Sequence, residues 1–83
     1  MRAINPEIFN NNRPYNLVSR IYNACDQPNI KSYIQKGWVM IPTRQDADLL
    51  ASHIMKEVKE EFGEESTILI NGDIIWQMCS LEL

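Results

Sequence analysis

The chain has 83 residues, 45% apolar and 23% charged, with a formal charge of −3, a length and composition that read as one small domain, not two. Its two cysteines, Cys25 and Cys79, are too few for the disulfide frameworks of small secreted domains. No apolar run follows a basic start, and none approaches the roughly 20 residues that span a bilayer, so the sequence reads as a cytoplasmic chain with free thiols and no signal peptide.

Charge is divided unevenly. Residues 1–36 carry five basic side chains (Arg2, Arg13, Arg20, Lys31, Lys36) against Glu7 and Asp26, a net of +3, whereas residues 37–83 carry three against nine acids, a net of −6. An acidic domain binds nucleic acid poorly unless its basic groups converge, because phosphate contacts supply most non-specific affinity. The simpler reading packs the basic half on the acidic half with its charges solvated.

Residues 1–13 are polar and asparagine-rich, with Asn5-Pro6 and Asn10-Asn11-Asn12. Asparagine competes for backbone hydrogen bonds and favours turns over regular structure, so this stretch reads as an irregular arm pinned by Ile4, Ile8 and Phe9. Pro14 suits a helix first turn with Asn12 upstream as a cap. Leu17, Val18, Ile21, Tyr22 and Cys25 then line one face of a helix over Pro14–Ala24. Ile30, Tyr33 and Ile34 suggest a second short helix, stopped by Lys36 and Gly37. Trp38-Val39-Met40-Ile41 reads as a short buried strand. Thr43, with Asp46 three residues on, approximates a capping box for a helix over Thr43–Phe62, whose Ala47, Leu50, Ala51, Ile54, Val58 and Phe62 recur at three and four. Gly63 ends it.

The strands Ser66–Ile70 and Asp73–Leu81 are expected to flank a two-residue turn at Asn71-Gly72, because Asn-Gly between β-favouring runs is a strong hairpin signal. The register that follows sets Ile70 opposite Asp73, Leu69 opposite Ile74, Ile68 opposite Ile75 and Thr67 opposite Trp76. One hairpin face would show Ile68, Ile70, Ile75, Cys79, Leu81 and Leu83, and the other Thr67, Leu69, Ile74, Trp76 and Met78. The long helix can cover only one of them. The expected architecture is α+β in the order α-α-β-α-β-β, a three-stranded antiparallel sheet of split β-α-β type with a C-terminal hairpin and one open edge where a partner can add a strand.

Signals for chemistry are weak. His53 is the only histidine and has no cysteine at metal spacing, so it reads as a half-exposed helix residue. Cys25 and Cys79 lie in apolar stripes, where cysteine behaves as a small hydrophobe. Gly37, Gly63 and Gly72 are all used by helix stops or turns, which leaves no phosphate-binding loop, and Asp46, Asp48 and Asp73 do not match a calcium loop. The sequence therefore suggests neither an enzyme nor a cofactor or metal. Two surfaces suggest binding: Leu69, Ile74, Trp76 and Met78 on the second hairpin face, which helices, a second copy or a protein partner would cover, and the cluster Arg13, Tyr15 and Arg20, which would meet an acidic protein or RNA. The leading expectation is a regulator that binds and modulates a protein; the alternative is a small RNA- or DNA-binding module using the basic half.

In its length, its start Asn10-Asn11-Asn12-Arg13-Pro14-Tyr15 and its lack of a catalytic signature, the chain resembles the short accessory proteins of T-even-type bacteriophages. Their cytoplasmic lysis-inhibition proteins, the antiholins, are the nearest in kind. The resemblance implies binding to the cytoplasmic part of a holin and assigns no individual residue a role.

Overall fold

The computed structural model describes residues 1–5, 7 and 16–82. The fold is α+β. Its elements run β1 (Arg2–Ile4), α1 (Leu17–Ala24), β2 (Tyr33–Gln35), β3 (Trp38–Ile41), α2 (Arg44–Phe62), α3 (Gly72–Met78) and β4 (Leu81–Glu82). The sheet is four-stranded in the order β2-β3-β1-β4, with every neighbouring pair antiparallel. Because β1 is antiparallel to both β3 and β4, those two strands run parallel to each other with β1 between them. A split β-α-β arrangement is therefore present, but its middle strand comes from the N-terminus and the sheet has four strands, not three.

The first correction concerns the arm. Arg2–Ile4 is a central strand, pairing with Arg2 opposite Ile41, Ala3 opposite Met40 and Ile4 opposite Val39 on one side, and with β4 on the other. Ala3 and Ile4 are both 0% exposed. Ile8, Phe9, Asn12 and Pro14 lie outside the described residues, as do the arm beyond Glu7 and the expected start of the first helix. Within the described residues α1 opens at Asn16, in a left-handed conformation with φ 53° and no side-chain cap, a region that asparagine tolerates better than most residues.

The second correction replaces the expected helix around Ile30–Lys36 with a β-hairpin. Gln35 pairs with Trp38 across Lys36 and Gly37, whose φ values are 52° and 84°. Positive φ at both central residues is what a two-residue type I′ turn demands, and its twist matches the strands it joins. Lys36 followed by glycine serves a helix stop and this turn equally well, and only pairing with β3 decides between them.

α2 matches its expected extent. Thr43 caps it, with its hydroxyl accepting from the Asp46 amide at 3.3 Å and its own amide donating to Asp46 Oδ2 at 3.0 Å, so the capping box is complete with aspartate in place of glutamate. Gly63 closes the helix at φ 95°.

The third correction removes the C-terminal hairpin. Asn71 is the N-cap of α3: its backbone is extended (φ −131°, ψ 174°) and its Oδ1 accepts from the Ile74 amide at 2.9 Å. Gly72 is not among the positive-φ residues, so the I′ turn cannot form. Residues 66–70 form no strand, and the ladder that set Leu69 opposite Ile74 is absent. The apolar residues from Gly72 onward fit a helix instead: Gly72 and Ile75 are buried, and Met78 and Cys79, three and four residues on, pack against the core.

The three helices among the described residues pack on one face of the sheet. The core joins Ile4, Val39 and Ile41 from the strands to Ile21 and Ala24 of α1, Ala47, Leu50, Ala51, Ile54 and Val58 of α2, and Ile70 and Ile75. Each fully buried Ile or Leu contributes about 1.5–3 kcal/mol of transfer free energy, so this single cluster dominates stability. Alternation along the strands sends Ala3, Met40, Tyr33 and Leu81 to the opposite face, where Tyr33 and Leu81 remain 40% exposed.

Candidate partner-binding surfaces

α3 packs closely against α2. At their contact a Cβ on Gly72 would lie 1.7 Å from Asp48 Oδ1 and 3.1 Å from Arg44 Nε, so glycine admits the approach of the two helix starts. Arg44 ties them together, 3.2 Å from Asp48 and 2.6 Å from Asp73. On the side of the strands, Trp76 is held by Arg2, whose guanidinium lies 4.7 Å from the ring centroid and donates to the Trp76 carbonyl at 3.1 Å. The same arginine sits 3.4 Å from Glu82.

This geometry separates the residues expected on one hairpin face. Trp76 and Met78 are half-buried and pack on the core, so they belong chiefly to the fold. Leu69 and Ile74 are 69% and 37% exposed, whereas their chain neighbours Ile70 and Ile75 are 5% and 0% exposed. Leu69 lies in the irregular segment before α3, and Ile74 on its outward side.

Of the expected basic cluster, Arg13 and Tyr15 lie outside the described residues. Arg20 faces the acidic flank of α2, paired with Glu61 and 3.7 Å from Glu57. Arg2, Arg20 and Arg44 are thus all engaged by carboxylates. Lys31 and Lys36, which bracket β2, form no ion pair among the described residues. β2 falls where the sequence suggests a second short helix, and its pairing with β3 is what makes it a strand.

The groups suspected of chemistry are placed as follows. Cys25 donates its thiol to the Ile21 carbonyl at 3.3 Å, and Cys79 to the Ile75 carbonyl at 3.6 Å. Burial pushes the Cys25 thiol up to about 11, with Asp26 adding to the effect. Burial also raises Cys79 to about 11, against the opposing charge of Arg2. His53 lies 3.8 Å from Glu57, one helical turn away. Among the described residues, no three His, Cys, Asp or Glu side chains converge as metal ligands. A cleft of about 310 Å³ at the sheet rim is lined by Asn5, Glu7, Tyr22, Lys36, Gly37 and Trp38. No described helix is long and apolar enough to cross a membrane.

Compared with family models, curated proteins and solved structures, the chain matches none.

Proposed function

We propose that this chain is a small non-enzymatic regulator that acts by binding another protein. The observation that carries this reading is the exposure of Leu69 and Ile74 beside their buried neighbours Ile70 and Ile75. Apolar surface left in water costs about 25 cal/mol per Å², and covering it on association recovers that free energy. Thiols held near 11 are neutral at physiological pH and make poor nucleophiles, which favours binding over catalysis. A nucleic-acid reading has less support, because Arg2, Arg20 and Arg44 are already engaged by carboxylates.

The resemblance to phage lysis-inhibition proteins names the cytoplasmic part of a holin as the first partner to test, with a second copy of the chain as the other. Sedimentation of the wild type with each is expected to show a complex heavier than the monomer. The double variant Leu69→Asp/Ile74→Asp, folded by circular dichroism, is expected to weaken that complex at least ten-fold, the loss typical of removing an interface anchor. An equally strong complex from the double variant would show that this surface is not the binding site.

A further inference from the structure

The edge of β2 is a second exposed surface among the described residues, and it offers backbone groups as well as side chains. Gln35 and Trp38 close a two-residue turn, so they exchange backbone hydrogen bonds; the next pair, Ile34 and Val39, does not, and Tyr33 with Met40 does again. The N–H and C=O of Ile34 therefore point away from β3, toward the outside of the sheet. β2 is the terminal strand, and all three of its residues are exposed. Tyr33 and Ile34, 40% and 37% exposed, point to opposite faces and offer apolar contact above and below an incoming strand.

Charge selects what such a strand can be. Lys31 and Lys36 stand at the two ends of β2 with no ion pair among the described residues, and Glu7, which lines the same cleft as Lys36, forms no ion pair with it. Lysines and short length are the usual guard of an exposed edge against indiscriminate pairing. The same lysines admit a strand that brings its own carboxylates, because specificity arises from repelling wrong partners as well as attracting the right one.

We infer that the β2 edge accepts an extended, acidic segment of a partner protein as a fifth strand, docked on the backbone of Ile34 and flanked by Lys31 and Lys36. This rests on the protein-binding reading above and adds a separate surface and a partner chemistry to it.

The test uses the whole chain, isotope-labelled for NMR, and an eight-residue peptide alternating valine and glutamate, with the valine–lysine peptide as control. Amide shifts are expected at residues 31–36 with the acidic peptide alone, and they should weaken as salt rises. Ile34→Pro removes the outward N–H without touching the β2–β3 ladder and is expected to abolish binding. Should that variant lose its dispersed spectrum, Lys31→Gln/Lys36→Asn retains every backbone group and is expected to weaken binding on the order of five-fold, as for two exposed ion pairs. Asparagine at position 36 tolerates the positive φ there.

Equal binding of the two peptides, or full affinity in both variants, overturns the proposal. Shifts confined to Leu69–Ile74 also overturn it while leaving the protein-binding reading intact. A self-associated dimer joined through β2, or oligonucleotide binding at Lys31 and Lys36, would replace the acidic partner with a different occupant and likewise overturn it.

Discussion

Cys25 and Cys79 show how a side chain of reactive type is turned into a structural one. Each sits four residues beyond a helical carbonyl to which its thiol donates, and each is half-buried against the core. An unfolded thiol ionises near 9.0 and the folded ones near 11, so between these values the folded chain keeps two protons that the unfolded chain releases. Their contribution to stability is complete below pH 9.0 and is lost as pH rises through 11. Urea melts across that window should therefore fall more steeply for the wild type than for Cys25→Ala/Cys79→Ala; parallel slopes would refute the assignment. The sequence already pointed this way, since both cysteines fall in apolar stripes. Arg20 is the contrary case: its basic character was evident, but only the packing of α1 on α2 commits it to Glu57 and Glu61.

At the scale of elements, local signals succeeded where they were long and redundant. α2 has a capping box, five turns of apolar spacing and a terminal glycine, and these agree with one another. The two Xaa-Gly pairs had only one local signal each, and both readings failed. Lys36-Gly37, read as a helix stop, is the I′ turn, and Asn71-Gly72, read as the I′ turn, is a helix start. Asparagine is favoured at both a turn and an N-cap, so the choice at Asn71 falls to whether Ile75, Met78 and Cys79 bury more as a helical stripe or as a strand. Since Asn71 caps α3, Asn71→Ala is expected to cost about 1 kcal/mol in chemical denaturation and Asn71→Ser to restore most of it. A turn residue held at positive φ would instead be damaged by both. β2 was missed for a related reason: three exposed residues carry no burial pattern, and the strand exists because β3 lies beside it.

At the scale of the molecule, the decisive element is the N-terminal strand. Arg2–Ile4 joins β3 to β4, and Arg2 reaches Trp76 and Glu82 at the far end of the chain. Deletion of residues 1–5 would leave β4 unpaired and β3 paired with β2 alone, and would uncover the face of the core against which Ile4 packs, so that variant is expected to lose its cooperative thermal transition. A truncated chain that melts like the intact one would restore the arm reading. Length, charge asymmetry, the α+β class, the strand at Trp38–Ile41 and the whole of α2 were legible in the sequence, because each rests on composition or on periodicity within one segment. The middle strand, the place of the hairpin, the helical form of Gly72–Met78 and the exposure of Leu69, Ile74 and the β2 edge were settled only by tertiary structure. Strand pairing and burial are made by residues far apart in the chain, and a short segment takes whichever local form its distant neighbours can pair with or cover.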